Sequence, residues 1–167
     1  MLGRLDEALP LQRDVYSGYV KVLGEHANTF LAANNYASSL VETRQLQNFE
    51  EAKNLLCKMI PAAQRVLGEY NYSTLSMKKI YASALGLAVL SKGLSKLTNM
   101  TDKGNDATFD DIDDLDDLYE ATARLEETAR TARRVLGPSI LLVKSIERDL
   151  RVFQNFLSQF DKPSTSA

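Results

Sequence analysis

Apolar residues recur along this chain with the period of a helix. Between Thr29 and Thr43, Ala33, Tyr36, Ala37 and Leu40 fall at i, i+3, i+4 and i+7 and so share one helical face. From Asn48 to Leu67 the series Phe49, Ala52, Leu55, Leu56, Met59, Ala63, Val66 and Leu67 keeps that period. Nowhere do apolar and polar residues alternate between hairpin turns, so no strand is expected. The pattern predicts an all-α chain of about six helices, near 4–23, 27–43, 48–67, 72–97, 112–136 and 139–160. Asn48 is placed as an N-cap, with Glu50 and Glu51 in the first turn, where the helix dipole favours acids. Gly24, Gly68 and Gly137 each follow the last apolar pair of a helix, the position where a C-cap glycine is favoured, and Pro138 reinforces the third stop. Pro10 and Pro61 lie inside helical patterns and predict local bends or frayed turns.

The pattern also repeats at a larger scale. Lys21-Val22-Leu23-Gly24-Glu25 returns as Arg65-Val66-Leu67-Gly68-Glu69 and again as Arg134-Val135-Leu136-Gly137. After the first two copies, Thr29, Tyr36, Ala37 and Leu40 correspond to Thr74, Tyr81, Ala82 and Leu85. Each unit is a helix pair that cannot bury its apolar face alone, so such pairs stack. Residues 1–161 therefore read as one repeat domain, with units at 1–24, 25–68 and 69–137 and a terminal helix at 138–161. The third unit is longer and carries an acidic insertion at about 98–117; residues 162–167 read as a disordered tail. The chain opens on the second helix of a pair. It is either a piece of a longer array or a stack capped by an unpaired helix.

The run Gly3-Arg4-Leu5-Asp6-Glu7-Ala8, the run Val22-Leu23-Gly24-Glu25-His26 followed by Asn28-Thr29, and Ala33-Asn34-Asn35-Tyr36-Ala37 resemble tetratricopeptide repeats (TPR) of the kinesin-light-chain type, over about residues 3–160. Ala27 stands where that family has proline, and the chain has no tryptophan. The resemblance implies a right-handed superhelical solenoid of antiparallel helix pairs. First helices would line a concave groove that takes an extended peptide or a partner helix, and second helices would form the back. It also implies that Asn34 points into the groove and bonds a peptide backbone, which an amide suits because it both donates and accepts. Asn35 is the neighbouring candidate. The position aligned with Asn34 in the next first helix is Lys79, beside Lys78, and the last helix offers Arg148 and Arg151, over a floor of Ser38 and Ser83. These cations would favour an acidic or carboxylate-ended segment. Each of them also reads as an ordinary solvated charge.

Composition narrows the function more than the fold. The 167 residues carry 20 Lys and Arg against 22 Asp and Glu, a formal charge of −2, which argues against a dedicated nucleic-acid binder. The longest apolar run, Ala84–Leu90, is far too short to span a membrane, and the N-terminal residues do not form a secretory signal, so a cytoplasmic address is expected. Cys57 is the one cysteine and is expected to be a buried, inert thiol; His26, the one histidine, is expected to cap a turn. No phosphate loop, nucleophile elbow or metalloprotease motif occurs, so no catalytic residue, metal or cofactor is expected. Asp110, Asp111, Asp113 and Asp114 are candidates for a secondary surface. Their pairing around Ile112 and Leu115 fits an acidic helix start better than a calcium loop. Arg124, Arg130, Arg133 and Arg134 alternate with Glu126 and Glu127, as on a solvated, salt-bridged face. Leu9, Val15 and Tyr19 make the first helix a docking candidate.

The chain thus reads as a non-enzymatic interaction module that binds a protein or peptide in its groove. The alternative is an accessory subunit built into a larger complex through its end helices, convex face or acidic insertion.

Overall fold

The computed structural model describes residues 2–102 and 115–159, with side chains over 7–96 and 115–159. Within these residues the chain is all-helical, with six helices and no strand: α1 (Leu2–Leu23), α2 (Ala27–Glu42), α3 (Leu46–Leu67), α4 (Tyr72–Asp102), α5 (Leu115–Leu136) and α6 (Leu141–Leu157). The acidic residues Asp110, Asp111, Asp113 and Asp114 and the tail at 162–167 lie outside the described residues.

Local chemistry sets the helix ends. Gly24, Gly68 and Gly137 have φ of 59°, 94° and 89°, a region open to glycine and costly for a residue with a Cβ. His26 caps α2: its Nδ1 accepts the Asn28 backbone N–H at 3.2 Å. Asn48 is not an N-cap, because α3 starts earlier, with Gln45 at that position. The Asn48 amide instead donates to Thr43 Oγ1 at 2.8 Å, and that hydroxyl donates to Leu40 O at 2.7 Å, which staples the α2–α3 turn. Helix α1 continues through Pro10 and α3 through Pro61. Around Pro61, burial of Leu56, Ala62 and Ala63 offsets the missing backbone bond.

Each helix packs on the next, as short connections dictate. In addition α2 touches α4, and α4 touches α6. Among the described residues no such backbone approach links α1 to α3 or α3 to α5. The first helices of the pairs therefore stand in a row, as in a tetratricopeptide-like stack. The repeated positions recur in space: Thr29 and Thr74, Phe30 and Leu75, Ala37 and Ala82, Leu40 and Leu85 are all buried.

Two apolar clusters form the core, and α4 belongs to both. Met77, Ile80 and Ala84 pack with α2 and α3 residues such as Phe30, Leu40 and Leu56. Leu75, Ala82, Leu85 and Val89 pack with α5 and α6 residues such as Leu125, Ile146 and Phe153. A helix apolar on both sides must be central, because a surface helix needs only one apolar stripe.

The first three helices are also tied by aromatic groups. Tyr16 of α1 stacks on Tyr36 of α2, with ring centroids 6.4 Å apart, and the Tyr36 hydroxyl donates to Glu51 Oε1 on α3. Burial, and then that bond and the charge of Glu51, push the Tyr36 hydroxyl up to about 12, against a smaller downward pull from Arg13.

Two predictions follow from this packing. A Cβ at Gly86 on α4 would overlap the Cε2 and Cζ atoms of the buried Phe153 ring on α6. Gly86→Ala should therefore destabilise the chain by about 1–3 kcal/mol, although alanine is the better helix former by about 1 kcal/mol. Thermal unfolding followed by circular dichroism should show a fall in Tm; a rise would mean that Phe153 yields freely. For Tyr36, the folded state holds its proton more tightly than the unfolded state, whose hydroxyl titrates near 10. Its contribution is complete below pH 10 and is lost as pH rises towards 12. Unfolding free energy measured against pH should fall more steeply over that interval in the wild type than in Tyr36→Phe.

Candidate functional site

The row of first helices encloses a cleft of about 580 Å³. Helix α2 and its following turn contribute Ser38, Val41, Glu42 and Arg44; α4 contributes Lys79, Ile80 and Leu87. Helix α6 contributes Ser145, Arg148, Asp149, Val152 and Phe153. The α6 residues recur at i, i+3, i+4, i+7 and i+8, so one face of that helix forms the wall. Val41, Ile80, Leu87, Val152 and Phe153 make much of the lining apolar.

A polar knot holds the base of the cleft. Lys79 Nζ lies 2.7 Å from Asp149 Oδ2, and the Ser83 hydroxyl donates to the same oxygen at 2.8 Å. Arg148 Nε lies 3.3 Å from the other carboxylate oxygen. The Lys79 and Asp149 side chains are only 15% and 17% exposed, so this pair is far better shielded from water than the other ion pairs described. The knot links α4 to α6 and neutralises the charge of Lys79.

The structure thus brings Ser38, Lys79 and Arg148 together around one cleft and sets Ser83 beneath it. Ser38 is half-buried and donates to Glu42 Oε1 at 3.4 Å. Asn34 lies one helical turn before Ser38 on α2 and is half-buried; its Oδ1 is buried and has no hydrogen-bond partner. Asn35 is exposed on the same helix. Asn34, Asn35, Lys78 and Arg151 are not among the residues that line the cleft. Lys78 pairs with Glu69 at 3.2 Å and lines a separate hollow of about 230 Å³ between α3, α4 and α5, because consecutive helical residues point about 100° apart. Arg151 is exposed and donates from Nε to Glu147 O at 3.4 Å.

Asp149 and Arg44 are the charged contributors from outside the predicted groove that most change its chemistry. Asp149 is flanked by the basic residues Arg148 and Arg151, and only the helix phase reveals that it is the carboxylate turned to α4. Arg44 adopts φ 57°, left-handed backbone that costs a non-glycine residue about 1 kcal/mol. No glycine or asparagine at the end of α2 announced that turn, so nothing in the sequence pointed to Arg44.

Other expectations are corrected or refined. Cys57 is exposed on α3, because it falls one position past the buried Leu56 and so outside the apolar stripe. The α5 arginines partly serve helix packing. Arg124 pairs with Glu120 at 2.7 Å and lies 5.3 Å from the Tyr81 ring centroid of α4, while Arg133 reaches Glu147 of α6 at 2.7 Å. Among the described residues, no three His, Cys, Asp or Glu side chains are grouped to hold a metal ion, and no helix is long and apolar enough to cross a membrane.

Residues 1–28 match the family model described as tetratricopeptide repeat. The match covers α1 and the His26 turn and supports a tetratricopeptide-type protein, a class of repeat that generally serves protein–protein interaction without catalysis. No curated protein matches the chain, and no solved structure does.

The shielding of the knot yields a prediction. Lys79→Met and Asp149→Leu should each destabilise the chain by about 1–3 kcal/mol, since each leaves a sheltered charge without its main partner. The double variant should cost less than the sum of the two. Additive losses in chemical denaturation would show that Lys79 and Asp149 act independently.

Proposed function

We propose that the chain is a non-enzymatic recognition module that binds an extended peptide or partner helix in the cleft between α2, α4 and α6. The observation that supports this reading is the cleft's apolar walls, beside which α2 holds an unsatisfied buried acceptor, Asn34 Oδ1, one turn before the lining residue Ser38. A buried carbonyl left without a donor is costly, and the N–H of an incoming chain would satisfy it. The partner is a carboxylate-ended or acidic segment. Lys79 is already neutralised by Asp149, so the cations open to such a ligand are Arg148, which is 69% exposed, and Arg44, exposed on a strained turn. Strain retained in a cleft-lining residue supports a role in binding.

A second reading, an accessory subunit held through its end helices, is favoured by one observation: α1 exposes Leu11, Val15 and Val22.

The test is a cross-linked pull-down from the source cell with wild type and Asn34→Ala/Arg148→Ala. Asn34 makes no contact with the knot, and Arg148 is 69% exposed and touches Asp149 only at 3.3 Å, leaving the Lys79–Asp149 pair in place, so the variant should fold normally by circular dichroism. Partners lost only with the variant, and bound less as salt rises, support the cleft. Partners retained equally by both contradict it. In the same assay Arg44→Gly should weaken capture while raising stability by about 0.5–1 kcal/mol.

A further inference from the structure

Among the six helices, α1 is the only one without a buried side chain among its described residues. Its inner face, formed by Leu9 and Tyr16, packs against the α2–α3 cluster. A second apolar line runs beside that face: Ala8, Leu11, Val15, Gly18 and Val22 are spaced 3, 4, 3 and 4 residues apart. This alternation is the seam of a two-helix coiled coil. Along it Leu11 is 67%, Val15 53% and Val22 80% exposed, and nothing lies within 4 Å of where a Gly18 Cβ would sit. The flank of the seam away from the core carries Asp14 and Lys21, one heptad apart, both exposed, and neither has an ion-pair partner among the described residues.

We infer that this seam is the contact between two copies of the chain, with their α1 helices packed antiparallel about a two-fold axis near residues 16 and 17. The seam is self-complementary in that register. Leu11 of one copy meets Val22 of the other, and Val15 meets Gly18, whose missing side chain lets the helices approach. The charges select the direction. Antiparallel packing brings Asp14 of each copy to Lys21 of the other, giving two symmetric ion pairs, whereas parallel packing puts the two charged flanks on opposite sides of the seam and forms neither pair. No α1 residue lines the α2–α4–α6 cleft, so each copy keeps its cleft open and the pair presents two. Two linked clefts bind a partner that carries two recognition segments more tightly than either cleft alone.

The test is sedimentation equilibrium of the full chain up to about 100 µM, a range that populates an interface of modest affinity. The expected result is a species of twice the 18.6 kDa chain mass. Asp14→Lys and Lys21→Asp, each alone, should weaken the dimer about tenfold or more, because each opposes like charges. The double exchange Asp14→Lys/Lys21→Asp should restore it. Val22→Asp should give monomers with an unchanged helical spectrum, since that side chain is free of the core. A wild-type chain that stays monomeric over the whole range overturns the inference. So does a dimer indifferent to the single exchanges, or one that the double exchange fails to rescue.

Discussion

Helix α4 has two apolar faces, and the rest of the molecule is arranged to cover both. One face takes the α2–α3 pair through Met77, Ile80 and Ala84; the other takes α5 and α6 through Leu75, Ala82, Leu85 and Val89. Neither cluster closes without it. The cleft exists because α2 and α6 both pack on α4 while making no backbone contact with each other. What fixes α6 against α4 is close fitting as well as burial: Gly86 admits the Phe153 ring to the helix backbone, and Asp149 gathers Lys79 and Ser83 around one carboxylate oxygen. The groups that hold the two helices together are thus neighbours of those that line the cleft. A change in that packing will be felt at the cleft.

Electrostatics in the cleft differ from a simple row of cations. A basic groove would attract acidic segments from a distance, but here the sheltered lysine is answered by its own aspartate, and the exposed arginines stand at the rim. On the proposed reading, discrimination would fall to the apolar walls, which reward fit at short range, and to the orphaned Asn34 carbonyl one turn before Ser38, while Arg44 and Arg148 would add a charge preference that salt screens.

Much of this was legible in the chain itself. Helical period, the three glycine stops and the recurrence of Thr29, Tyr36, Ala37 and Leu40 forty-five residues later carried the fold, because each reports a local or repeated constraint. The site was legible in part. Ser38, Lys79 and Arg148 meet because repeat alignment transfers helix phase, yet Lys78 was included for its charge although adjacent residues on a helix face different ways. Asp149 and Arg44 escaped because pairing across helices and a left-handed turn at an arginine are set by tertiary packing. Cys57 was misjudged by a single step of phase, from the buried Leu56 to an exposed position.

The claim that matters most is that the cleft is the working surface, and site-directed photo-cross-linking tests it most directly. A photoreactive amino acid replaces Ser38, at the cleft, in one preparation; in another, a photoreactive maleimide is attached to Cys57, exposed on α3. After irradiation in source-cell extract, the account predicts a specific adduct from position 38 that excess unlabelled wild-type chain competes away, and none from position 57. A competed adduct from position 57 with none from position 38 would contradict it and move recognition to the outer helices.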